Sequence, residues 1–343
     1  MLNHLVNMSR GVFVLTIGMS LFMTLPVSAN EVNVYSYRKP QLIQPIFDQF
    51  TKETGITVNT IYAKKGMLER IRNEGINSPA DLIFTVDIGR LTDIKNAGLT
   101  RAIEVSGLTA KIPENFLDPE GHWIGLTSRA RIIVASKDRV TLDEISRYED
   151  LAEEKFKGRV CARSGKHPYM IALVASFVSA QGIEKARNWL RGLKKNLARK
   201  PQGNDRAQVK AIYNGVCDVA VINHYYMSMM LKKDSQRFWA ESVRVVFPNQ
   251  SDRGTHMNVS GVALAKHSPN YANALRLIDF LASENGQAFY AEKNSEYPVL
   301  PGVSWNNLQR SWGEFKQDNL ALATIASYRE MAIKLVDEVG FNN

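Results

Sequence analysis

Asp81-Leu82-Ile83-Phe84-Thr85-Val86 is the stretch that decides the fold. A continuous apolar run of this length, with no polar alternation, reads as a strand buried on both faces in a parallel sheet. Working back from it, Met67 to Glu74 is helical in spacing and Gly75 is a natural stop. Ile56 to Tyr62 alternates as a strand. Before that, Leu42, Ile43, Ile46, Phe47 and Phe50 mark a helix from Pro40 to Glu53, stopped by Gly55. Val32 to Tyr37 is a first short strand. Strands alternating with helices argue for an α/β sheet covered on both faces.

Working forward, Trp123 to Ala135 is a long extended stretch with few turn signals. Tyr148 opens a short helix. Tyr169 to Ala180, Glu184 to Leu197 and Asp205 to Tyr213 are helical, and Val243 to Phe247 and Val259 to Ala265 are strands. Helices follow over 270–281 and 284–293. Between them lies Val219-Ala220-Val221-Ile222-Asn223-His224-Tyr225-Tyr226. Neighbours in a strand point to opposite faces, so both tyrosines reach one cleft only if the strand has ended before them. On the residues alone, the plainer reading is that one tyrosine packs and the other caps a surface. The sharper one is chemical: a trivalent metal can displace the phenolic proton, ordinarily lost near pH 10, and take the oxygen as a hard ligand.

Residues 1–29 read as a secretory signal rather than a folded part. Arg10 is the only Lys, Arg, Asp or Glu there, an apolar stretch runs from Val12 to Leu25, and Val27-Ser28-Ala29 supplies small residues for cleavage. A soluble exported protein with no stable membrane insertion is expected. About 314 residues remain, which suggests two bodies rather than one. The chain carries a formal charge of +9, with basic residues scattered among acids. That balance suits an anionic ligand or surface, but export and the lack of an aromatic-basic stripe argue against nucleic acid. Cys161 and Cys217 are the only cysteines. In an oxidising compartment they are expected to form a disulfide and set their two strand-like segments side by side; the alternative is two buried thiols.

Enzyme signatures are largely absent. There is no phosphate-binding loop, no dinucleotide fingerprint and no His-Glu-x-x-His. Ser164 and Ser260, each before a glycine, lack a nucleophile elbow, so a hydrolase is disfavoured. The six histidines are dispersed.

The chain resembles the periplasmic ferric-iron-binding proteins of ABC importers, of the tyrosine-rich kind. The resemblance is carried by Ser78-Pro79-Ala80-Asp81-Leu82, Thr127-Ser128-Arg129, Lys157-Gly158-Arg159-Val160, Pro201-Gln202-Gly203-Asn204-Asp205, Gly254-Thr255-His256-Met257-Asn258 and Glu296-Tyr297-Pro298-Val299. Asn223-His224-Tyr225-Tyr226 carries it most specifically. The resemblance implies an α/β, bilobal periplasmic binding protein fold, with two mixed-sheet lobes joined by crossover strands. Lobe 1 would comprise 30–130 with about 260–314, and lobe 2 would comprise 131–259 with about 315–343. It implies a non-enzymatic monomer that hands iron to an inner-membrane ABC permease. The alternative is a carrier of another small anionic or organic solute.

By the same resemblance, Tyr225 and Tyr226 match the paired iron ligands and Tyr169 matches the third. Three phenolates balance Fe³⁺ and suit a hard cation. The first lobe departs from the pattern. Arg38-Lys39-Pro40-Gln41 stands where relatives carry a His or His-Tyr, and Val86 takes the place of an acidic ligand. Tyr37 and Asp87 are the available replacements. A synergistic anion such as carbonate would fill remaining positions, with Arg129 and Asn223 as its partners; Arg129 reads equally as a hinge ion pair.

Overall fold

The computed structural model describes residues 30–343 apart from 105, 106 and 108. The expected signal segment, 1–29, lies outside the described residues. Ten strands form one continuous sheet: β1 (Glu31–Ser36), β2 (Thr57–Tyr62), β3 (Leu82–Thr85), β4 (Thr100–Arg101), β5 (Trp123–Ser136), β6 (Val160–Cys161), β7 (Val219–Asn223), β8 (Val243–Val246), β9 (Met257–Ala265) and β10 (Tyr297–Pro298). Its main path runs β2-β1-β3-β9-β5-β7-β6. Leu82–Thr85 of the stretch 81–86 form the buried strand β3. It is parallel to β1, as its pattern suggests, but antiparallel to β9 on its other side. The sheet is therefore mixed. An apolar run reports burial on both faces and says nothing about the direction of a neighbour contributed from far along the chain.

The helices between strands are α1 (Pro40–Thr54), α2 (Met67–Glu74), α3 (Ile88–Asn96), α4 (Pro168–Gln181), α5 (Ile183–Lys195), α6 (Asp205–Tyr213), α7 (Tyr225–Leu231) and α8 (Asp234–Glu241). After β9 come α9 (Tyr271–Ala282), α10 (Glu284–Asn294), α11 (Asn307–Ser311), α12 (Leu322–Ser327) and α13 (Arg329–Glu338). The expected helix at Tyr148 is a single 3₁₀ turn, Glu149–Ala152. Helix α1 shows how the pattern becomes packing. Ile43, Ile46, Phe47 and Phe50 recur at helical spacing and are the residues it buries. Each stabilises the fold by roughly 1.5–3 kcal/mol. Phe47 meets Phe84 of β3 edge-on at 5.6 Å.

Strand β5 carries the architecture. All of its residues are buried. Over Trp123–Ala130 it pairs with β9, and over Arg131–Ala135 it pairs with β7. The change of partner at Ala130/Arg131 divides the sheet into two groups of strands, and β5 belongs to both. Strands β5 and β9 lie very close at Gly125 and Gly261, which pair beside a bulge. A Cβ on Gly261 would stand 2.5 Å from the Ile124 carbonyl oxygen, so only glycine fits there. Gly254 opens the turn into β9 at φ +92°, with the Gln317 carbonyl 2.8 Å from where a Cβ would project.

The second group of strands has its own core, built from Ala130, Ile132, Val134, Ala220, Ile222 and Met227 among others. Cys161 and Cys217 form a disulfide, with Cα atoms 5.8 Å apart. β6 lies parallel to β7, with Val160 opposite Val219, so the cysteines do set those segments side by side. At the C-terminus α12 packs on both α3 and α4, and α13 packs on α4 and α5. Arg329 reaches Asp93 of α3 at 3.4 Å. No described helix is long and apolar enough to cross a membrane.

Candidate metal centre

The paired tyrosines follow β7 without a loop. Asn223 is the last strand residue, His224 already has helical angles, and α7 begins at Tyr225. Successive side chains on a helix diverge by about 100°, not the half-turn of a strand. Both rings can therefore face one cleft. They lie 4.3 Å apart between centroids at 31°. The sequence had suggested a turn; the structure makes it the first turn of a short helix.

Tyr169 arrives from a different element. Pro168 starts α4, and His167 caps it, its Nδ1 accepting from the Tyr169 N–H at 3.2 Å. The Tyr169 ring is surrounded by guanidinium groups. Arg163, Arg129 and Arg131 stand 5.3, 5.5 and 5.9 Å from its centroid. Such cations are attracted to the face of an aromatic ring.

Tyr169, Tyr225 and Tyr226 line a cleft of about 460 Å³, together with Tyr37 and Arg129. Asp87 and Asn223 are not among its lining residues. Asp87 caps α3, accepting from the Arg90 N–H at 3.1 Å. Asn223 accepts from Arg131 at 3.2 Å through Oδ1, while its own N–H donates to Asp205. Tyr37 sits on the opposite wall, its hydroxyl accepting from the Leu68 N–H at 3.1 Å and its ring under Arg90. A larger groove of about 920 Å³ lies between α5 and α13, but its walls are mixed charges such as Glu184, Arg187 and Glu338.

Charge around the cleft is one-sided. Lys39, Lys64, Arg90, Arg129, Arg163 and Arg206 face it, against the carboxylate of Glu296. Glu296 is itself bonded to Arg38 at 2.7 Å and to the Thr127 hydroxyl. Burial alone would raise its pKa, but Arg38 and Arg129 outweigh burial and hold it low. Arg129 donates to the Val86 carbonyl, and its Nε has no protein partner. Burial works against its cation, and Tyr169 and Glu296 restore it.

Several supporting residues are assigned no role by sequence alone. Asp205, fully buried, accepts from Arg131 at 2.9 Å, Arg163 at 2.6 Å and the Asn223 N–H at 2.9 Å. Burial would raise its pKa, and the two arginines overcome that and lower it. The available hint was a charged residue inside an apolar strand, as in Ala130-Arg131-Ile132, which demands a buried counter-charge. Ser260 is also accounted for: it is buried in β9 and its hydroxyl accepts from Arg38 at 2.7 Å.

In the absence of a cation, Tyr225 and Tyr226 hold their protons more firmly than a free tyrosine does. Burial first, and then Tyr169 and Tyr226, raise the Tyr225 pKa well above its ordinary value. Burial and Tyr169 likewise raise Tyr226. Among the described residues no cluster of three His, Cys, Asp or Glu is placed to hold a metal. What this cleft offers a metal is phenolic oxygen, and what it offers an anion is a cationic wall.

Residues 77–314 match the family described as bacterial extracellular solute-binding protein. Iron uptake protein A1 of Synechocystis is 44% identical over 92% of this chain and 89% of its own length. The apo ferric ion-binding protein A of Pasteurella haemolytica superposes with a TM-score of 0.87 at 50% identity, covering 92% of this chain and 99% of that one. A Trichodesmium protein solved in complex with iron and citrate ligands gives 0.87 at 40% identity, covering 91% and 99%.

Proposed function

This chain belongs to the bacterial extracellular solute-binding proteins, and from that premise we propose that it captures Fe³⁺ through the phenolates of Tyr169, Tyr225 and Tyr226. The observation that carries the reading is the meeting of three tyrosines from α4 and α7 in one cleft with a cationic wall. The names of the Synechocystis, Pasteurella and Trichodesmium relatives, each an iron or ferric-ion protein, support the cargo.

Each phenol gives up its proton as the metal arrives, and three negative charges balance the trivalent ion. Arg129, with Nε uncommitted, is the partner for a synergistic anion, carbonate or a small carboxylate. Tyr37 on the facing wall is a candidate fourth oxygen. Asp87, committed to its helix cap, is the weaker candidate, and Asn223 acts through Arg131 rather than on the anion directly. The cargo would be released in the periplasm to an inner-membrane ABC permease, by a monomer whose residues 1–29 direct export.

The fold is the bilobal one of the ferric-binding proteins it matches. We assign 30–130 with about 260–314 to lobe 1, and 131–259 with about 315–343 to lobe 2. The partner change within β5 supports the first boundary. Phe315 stacked on Phe247 at 4.0 Å supports the last.

The test is titration of apo-protein with ferric citrate, followed by visible absorbance. Phenolate-to-iron charge transfer should give colour. Tyr225→Phe and Tyr226→Phe should each weaken binding by about 100-fold or more, beyond the loss seen for outer-shell groups, and alter the band. Tyr169→Phe should do the same if it is the third ligand. A double Phe variant that binds iron like wild type would overturn the reading. A carrier of some other anion would stay colourless.

A further inference from the structure

His224 separates the last residue of β7 from the first tyrosine of α7. It is fully buried and does not line the cleft. Its ring is nonetheless tied on both nitrogens. Nδ1 accepts from the Ala130 N–H at 3.1 Å, so the hydrogen sits on Nε2, which donates to the Ser295 carbonyl at 2.7 Å. The His224 backbone N–H also donates to the Ala130 carbonyl, at 3.1 Å. Both polar groups of Ala130 that face this side are thus held by one residue. Ala130 is where β5 leaves β9 for β7.

The other anchor is unusual in its own right. Ser295 has a left-handed backbone, φ +54°, uncommon for a residue other than glycine. Its hydroxyl donates to Ser228 of α7 at 2.7 Å, and its carbonyl also accepts from Gln309 at 3.1 Å. The imidazole lies flat on Tyr297 at 4.3 Å and edge-on to Tyr225 at 6.2 Å. An apolar ring of the same size would fill this space. It would not fix the rotation of the turn, because packing alone does not choose a direction and two hydrogen bonds at opposite corners of a ring do.

The geometry points to His224 as a positioning residue: it aims Tyr225 and Tyr226 by pinning their turn to the crossover strand on one side and to the Ser295 segment on the other. The inference rests on the reading that these phenolates bind Fe³⁺. Because one imidazole joins the crossover, the ligand turn and the strand returning from α10, the angle between these segments and the aim of the phenolates are set together.

The test compares His224→Phe, which keeps ring volume and loses both bonds, with His224→Asn, whose carboxamide oxygen can still accept from Ala130. Ferric titration against a competing chelator gives affinity, the charge-transfer band reports ligand geometry, and thermal melting of the apo-protein reports stability. His224→Phe should weaken iron binding about tenfold or more, the loss expected from two hydrogen bonds, and shift the band. His224→Asn should recover part of both. Leu277→Ala, in the core of α9 and away from the cleft, controls for general loss of stability and should leave the band unchanged. Wild-type band and affinity in His224→Phe would overturn the inference. If that variant does not fold, the same result in His224→Asn would overturn it. A wild-type protein that gives no charge-transfer band would instead sink the phenolate reading, whatever the variants do.

Discussion

A buried phenol beside other phenols keeps its proton, and a buried carboxylate between two guanidiniums loses it; this site holds both, the carboxylate outside the cleft's own lining. Asp205 is the carboxylate. Asp205→Asn would leave Arg131 and Arg163 buried without their shared counter-charge, and removing one partner of a buried pair costs about 3–5 kcal/mol. Its depressed pKa fixes the sign with pH. The stabilisation is full above the ordinary carboxylate range and is lost as pH falls through the lower folded value. Denaturant melts at neutral pH should show the variant destabilised by that amount, and its difference from wild type should shrink in strong acid. A variant as stable as wild type at neutral pH would show that the arginines find other partners. The tyrosine pair was conspicuous in the sequence because it stands at the end of an apolar run, and only the resemblance gave it a metal to bind. Asp205 was not, because its partners Arg163 and Arg131 lie 42 and 74 residues away, and no local pattern joins them.

Among the elements, the disulfide offers the cleanest test. It closes a chain separation of 56 residues. Loop closure of that length is expected to contribute about 2–4 kcal/mol. Cys161→Ser with Cys217→Ser should lower stability by that amount in equilibrium melts. Iron affinity should stay within about threefold, since β6 and β7 keep their backbone pairing and their apolar core without it. A large loss of affinity with stability intact would mean that the bridge orients β7. Long elements were readable: α1 and α2 lie where their apolar residues recur, and α4 and β5 where long stretches are buried without a break. Strands β4 and β10 have two residues each, too few to show any alternation. Helix α7 was hidden because Tyr225 to Leu231 is apolar nearly all round, which carries no helical stripe. The run 81–86 was read correctly as buried, and only the direction of β9 beside it was beyond reach.

For the whole molecule the sharpest expectation is acid release. Every phenolate that leaves iron takes up a proton, and burial makes Tyr225 and Tyr226 hold protons more firmly than free tyrosine does. At constant free ferric activity the apparent affinity should therefore rise by about two to three powers of ten per pH unit between roughly pH 5 and 8. A chelator competition series checks this; a flat profile would mean that the tyrosines are not ionised ligands. His224 does not blur that range, since burial pushes its own pKa down to about 4. One further consequence follows from the pairing of β3. Its parallel neighbour β1 precedes it closely, but its antiparallel neighbour places Leu264 opposite Leu82. A chain that emerges from its N-terminus must wait through most of its synthesis for that partner, with one edge of β3 unpaired. Strands β5 to β8 are contiguous, so the wall that bears the tyrosines can assemble before β9 returns to complete the wall facing it.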